Sequence, residues 1–261
     1  EEEEVWVDPD KRIPDSYEAS LRDLQQGLQT AIEDGRRRII VEYDQDSGDE
    51  TYPKISRTIQ VMEPMLQIMQ DVAAPLEPGV NVLATQDAEG KPLPPRWQII
   101  FPDQGTVSYL QNNWEFPSRT AFSSMSYSLF KVAPGCQAVL LVAPQAQDLE
   151  FCKKLMEEID TNAPDTTLII MNPEFVDFGT TALGAIGRSA KRMIEEQFEV
   201  AYAFNCLNPY GAVYRTYPGP WTVWRVNETI KERFTATYSQ PTRPFTGSLL
   251  GLMSPDEEEG S

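Results

Sequence analysis

The sequence contains no histidine. That absence removes Ser-His-Asp and Cys-His catalysis, and any metal site built on imidazole. Cysteine is scarce too: Cys136, Cys152 and Cys206 are an odd number without a CxxC pair, which argues against a disulfide framework and a thiolate zinc site. All three lie in apolar stretches and read as buried free thiols of a reducing compartment. Basic residues are in deficit, 22 against 40 acids, for a formal charge of −18. A surface of that sign repels phosphate, so a nucleic-acid groove binder is disfavoured. No stretch approaches the roughly 18 consecutive apolar residues of a membrane span. Neither end has the basic or apolar run of a targeting peptide, and a start at Glu1 without methionine fits a processed or trimmed chain.

What is present is a chain of 261 residues, 41% of them apolar. At this length about three quarters of the unfolded surface can be buried, enough for one substantial core. Eight of the acids sit in Glu1–Glu4 and Asp256–Glu259, and like-charge runs at chain ends read as solvated extensions. Between them, amphipathic and apolar segments alternate. Leu21, Leu24, Leu28, Ala31 and Ile32 recur at helical spacing after Ser16, with Gly35 near the end. Strands are expected at 38–43, 80–84, 96–101, 138–142 and 166–171. Helices are expected at 56–74 (interrupted by Pro64), after Gln104, at 148–160 and at 182–198. Apolar strands separated by such helices imply a parallel sheet covered on both faces. The β-rich, aromatic stretch 200–226, punctuated by Asn208-Pro209-Tyr210-Gly211 and Pro218-Gly219-Pro220, implies an antiparallel hairpin. The expectation is an acidic extension over 1–13, then one α/β domain over 14–234. That domain is Rossmann-like, with three layers and a mainly parallel sheet closed by the C-terminal hairpin. An extended Pro/Thr-rich and acidic tail follows over 235–261.

Three places carry chemistry-bearing residues. Asp103, Gln145 and Asn172 each follow an apolar strand, where ligands of open α/β sheets collect. The same residue types cap helices and make turns, so a crevice and a purely structural use both fit. Gly184, Gly187, Arg188, Lys191 and Arg192 open a helix after a strand, a place for a phosphate against free N–H groups. The spacing is neither a P-loop nor a dinucleotide fingerprint, and glycines for close packing with bases on a solvated face fit equally. Arg215, Tyr217, Trp221 and Trp224 belong to a dense aromatic cluster with Tyr202, Phe204, Tyr210 and Tyr214. It reads either as a partner-binding surface or as the packing of a hairpin. No catalytic residue, metal ligand or cofactor is selected.

The strings Phe101-Pro102-Asp103-Gln104-Gly105, Leu141-Val142-Ala143-Pro144-Gln145, Ile170-Met171-Asn172-Pro173, Arg188–Arg192 and above all Tyr214-Arg215-Thr216-Tyr217-Pro218-Gly219-Pro220-Trp221 carry a family likeness. Over about 14–228 the chain resembles a domain of unknown function of cyanobacterial and plastid proteins. That family includes the plant low-photosystem-II-accumulation assembly factor, and its domain accompanies a chloroplast adenylate kinase. The resemblance implies a setting in the chloroplast stroma, at the stromal face of the thylakoid, or in cyanobacterial cytoplasm. It implies no catalytic residues. The function expected is a non-enzymatic factor binding photosystem subunits or assembly partners, with peripheral thylakoid association, no nucleic acid and no transmembrane segment. The alternative is a phosphate- or nucleotide-binding α/β domain with transferase chemistry.

Overall fold

The computed structural model describes residues 13–44, 62, 86–113, 119–126, 130–174, 188–189, 192–193, 196–207, 210–226, 234–244, 249 and 253. The expected element at 80–84, the one at 56–74 except for helical, buried Met62, and most of the one at 182–198 lie outside them. Helix α1, Tyr17–Glu33, starts where Ser16 takes an extended conformation and its Oγ accepts from the Ala19 N–H at 3.2 Å, the usual N-cap arrangement. It ends where Gly35, at φ +77°, turns the chain left-handed, with Gly35 N–H bonding Ile32 O and Arg36 N–H bonding Ala31 O. Its apolar stripe, Leu24, Leu28 and Ala31, is fully buried.

Among the described residues nine strands form one sheet: β1 Arg38–Asp44, β2 Trp97–Phe101, β3 Thr120–Ser124, β4 Ala138–Val142, β5 Thr167–Met171, β6 Glu199–Leu207, β7 Gly211–Thr216, β8 Trp221–Val226 and β9 Phe234–Gln240. Their order is β3-β2-β4-β5-β1-β6-β7-β8-β9. The strands from β3 to β6 run parallel, and β7, β8 and β9 add on antiparallel. All five residues of β2, β4 and β5 are buried, polar Gln98 and Thr167 among them, as the mainly apolar strands of a parallel sheet should be. Two more helices, α2 Gln104–Asn113 and α3 Leu149–Asn162, follow β2 and β4. Successive strand residues alternate between two core clusters. Ile39, Val41 and Tyr43 join one with Leu24 and Leu28 of α1 and Val107 and Leu110 of α2. Ile40 joins the other with Leu149, Cys152, Leu155 and Ile159 of α3.

Two expectations are corrected at the carboxy-terminal end. The domain does not stop at 234, because β9 pairs with β8 from Trp221↔Gln240 to Val226↔Phe234, and the antiparallel part has three strands rather than a hairpin. Beyond it Leu249 and Met253 are buried in the second cluster. The composition of 235–261 concealed this: Thr, Ser and Tyr suit a strand at a sheet edge as well as a loop.

Candidate functional site

The parallel strands place their carboxyl ends side by side, and the direction of the connections changes between two neighbours. The chain leaves β2 for β3 on one side and leaves β4 for β5 on the other, which makes the gap between β2 and β4 the topological switch point. Asp103 follows β2, Gln145 follows β4 and Asn172 follows β5, so the three expected crevice residues stand at consecutive strand ends.

Each side chain is bound to its own neighbourhood. Asp103 precedes α2 and caps it: Oδ1 accepts from the Thr106 N–H at 2.9 Å and Oδ2 from the Thr106 hydroxyl at 2.7 Å. These bonds, the backbone one foremost, hold its carboxyl below the usual range. Gln145 ties the loop after β4 to that after β5, donating from Nε2 to Glu174 Oε2 at 3.1 Å, while its N–H donates to Asp148 Oδ2 at 2.8 Å. Asn172 is 2% exposed and acts as a surrogate peptide group. Its Oδ1 accepts from the Tyr43 N–H at 2.7 Å and its Nδ2 donates to Tyr43 O at 3.1 Å, extending the ladder beyond β5. Asn172 stands at φ +48°, a conformation its side chain tolerates better than most; Ala143, the residue after β4, shares it at +45°.

Of the expected anion site, Gly184, Gly187 and Lys191 lie outside the described residues. Arg188 and Arg192 are helical and exposed. Among the described residues no three of His, Cys, Asp and Glu are grouped to hold a metal ion. Burial pushes the Cys136 and Cys152 thiols up to about 12, so neither is a nucleophile at neutral pH.

Most of the aromatic string packs within the fold: Tyr217, Trp221 and Trp224 are 8%, 2% and 3% exposed. Three tyrosines moor α1 to the sheet: Tyr43 shares a 2.6 Å hydrogen bond with Ser20, Tyr214 donates to Asp23 at 2.6 Å, and Tyr217 to Asp34 at 3.0 Å. Midway along that line Gly27 lets α1 approach β6, since a Cβ there would collide with the Ala201 carbonyl. On the opposite face Arg215 donates to Glu199 at 2.7 Å and to Gly219 O at 3.1 Å, and its guanidinium lies 5.6 Å from the Trp221 ring centre. Of the wider cluster Tyr210 alone is among the exposed large hydrophobic residues, at 51%, on the turn between β6 and β7. Its carbonyl accepts from Val226 N–H, so the neighbouring Arg225 lies beside that turn.

The sequence reading did not single out Glu42, Asn205 and Arg243. Glu42 sits in β1 with 6% exposure, Asn205 Nδ2 donates to its Oε2 at 2.6 Å, and Arg243 Nη1 and Nη2 grip both its oxygens at 2.6 and 2.8 Å. The one usable signal was a glutamate inside the apolar run Ile39-Ile40-Val41-Glu42-Tyr43, since a buried carboxylate requires a partner.

Fold and strand ends together define an α/β protein with a mixed sheet, in which Asp103, Gln145 and Asn172 at the parallel strand ends are each hydrogen-bonded within the protein. A family model described as a domain of unknown function, DUF1995, matches residues 14–249, and the chain belongs to that family. The match runs past β9, in keeping with the correction made above. No match was found among curated proteins.

Proposed function

We propose that this chain is a non-enzymatic factor that binds protein partners in photosystem assembly, or as an auxiliary subunit, in the stroma or at the stromal face of the thylakoid, or in cyanobacterial cytoplasm. The observation that carries the non-enzymatic part is the commitment of Asp103, Gln145 and Asn172 to internal hydrogen bonds. Those side chains occupy the place where an enzyme of this topology would hold its reacting groups, and they already have their partners. The photosynthetic setting rests on the resemblance to the plastid and cyanobacterial domain with its assembly-factor member. A Rossmann-like, three-layer arrangement is supported by α1 and α2 feeding one core cluster and α3 the other. With Trp221 and Trp224 buried, the partner contact moves to the turn that carries Tyr210 beside Arg225, residue types that anchor interfaces.

Affinity capture from a solubilised photosynthetic membrane and stroma extract tests this reading, with Tyr210→Ala alongside the wild type. The expected result is enrichment of photosystem subunits on the wild type and their loss on the variant, both proteins melting alike. Equal enrichment on both would remove the Tyr210 surface, and absence of photosystem subunits from both would remove the assembly reading. The nucleotide-binding alternative is favoured by the switch point between β2 and β4 and by the exposed Arg188 and Arg192.

A further inference from the structure

Glu42 is a carboxylate inside a sheet, flanked in β1 by Val41 and Tyr43. Its side chain is 7% exposed, and an unpaired charge at that depth is costly. The groups around it match one chemical partner. Two carboxylate oxygens face a planar fork of N–H donors, the pairing that guanidinium makes and an ammonium cannot. The Asn205 amide holds the carboxylate from the side. The Trp221 ring lies against the cation, its centre 5.1 Å from the Arg243 guanidinium carbon. A buried carboxylate oriented by an amide and walled by an indole is a built pocket, and it selects arginine over lysine.

The occupant comes from the carboxy-terminal segment, 201 residues away in sequence, three residues past Gln240, where the β9 ladder ends, and two past Pro241. Its side chain is 27% exposed, so the guanidinium enters from solvent while Glu42 stays inside. We propose that Glu42, Asn205 and Trp221 form a guanidinium receptor filled by the chain's own Arg243, a latch on the carboxy-terminal segment that an arginine of another polypeptide can open by taking its place. The pocket itself stands independently of the assembly reading; only the competing arginine rests on it. An internal occupant acts at an effective concentration of about millimolar or above, so the competitor must be abundant or held nearby by other contacts.

The experiment has two arms. In the first, Arg243→Ala and Arg243→Lys are melted with ethylguanidinium or ethylammonium at about 20 mM. The alanine variant should melt about 5–10 °C below wild type, regain at least half of that with ethylguanidinium and nothing with ethylammonium. The lysine variant should recover only in part. Equal effects of the two cations, or no loss in either variant, would overturn the receptor. If Arg243→Ala does not fold, Arg243→Lys gives the same comparison. In the second arm, wild type is incubated with a short arginine peptide or its neutral citrulline counterpart at about 10 mM. Hydrogen exchange over 234–244 should rise several-fold with the arginine peptide only. Rescue in the first arm without that rise would leave a structural clasp and overturn the latch. Neither result depends on photosystem capture, so the two readings fail separately.

Discussion

Asn172 shows how one side chain decides the use of a strand end. Its amide satisfies both backbone groups of Tyr43 where β1 and β5 separate, and its backbone occupies the left-handed region in which asparagine is tolerated. Asn172→Ala orphans a buried N–H and a buried C=O and adds backbone strain, so it should lower stability by about 3–5 kcal/mol in urea denaturation. A loss below 1 kcal/mol would mean that the amide is free for other work. In the sequence, Met171-Asn172-Pro173 is compatible with a cap, a turn or a ligand contact alike. What separates these uses is the position of Tyr43, 129 residues away, which no local pattern carries. Glu42 had a legible oddity, but its partner sits 201 residues downstream in a stretch that reads as tail.

At the scale of elements, α1 and the sheet are joined by hydroxyls as well as by Leu24 and Leu28. The string Tyr214-Arg215-Thr216-Tyr217, the most distinctive in the sequence, divides its work: its tyrosines face α1, and Arg215 turns to Glu199 and Trp221 on the other side. Alternation along a strand explains that division. Burial chiefly pushes the Tyr43 phenol up to about 12 and raises the Tyr214 and Tyr202 phenols. A raised phenol pKa means that the folded state holds the proton more tightly than the unfolded state does. Its stabilisation is therefore complete below pH 10 and is lost as pH climbs from there through about 12. Each such group should steepen the alkaline loss by about 1.4 kcal/mol per pH unit. Melting scans from pH 9 to 12, with tyrosinate absorbance, should show these three phenols ionising only on unfolding, and Tyr43→Phe should flatten the curve. Smooth titration of all ten tyrosines in the folded protein would contradict this packing.

Over the whole molecule, much of the parallel half was legible because strands such as β4 and β5 are largely apolar runs and the helices carry their own period: 138–142 matches the expected range, whereas β3, Thr120-Ala121-Phe122-Ser123-Ser124, carries no such run and was not expected. The order β3-β2-β4-β5-β1-β6 was not legible, since it depends on which helices cross which strands. Burial of Trp221 and Trp224 was equally hidden, because an aromatic string reads alike whether it packs a sheet or faces a partner. β9 was missed because an edge strand needs only one bonded side and carries polar residues readily. The resulting molecule has the topology of a ligand-binding sheet whose strand-end side chains Asp103, Gln145 and Asn172 are each hydrogen-bonded within the protein, and that commitment is the central claim. Melting curves with millimolar adenine and guanine nucleotides, on wild type and Arg188→Ala, test it most directly. No shift in either protein is the predicted result. A rise of about 1.8 kcal/mol in wild-type stability at roughly twenty times the dissociation constant would contradict it, persistence of the rise in Arg188→Ala returning the strand ends to chemistry and its loss assigning the nucleotide to the Arg188 helix.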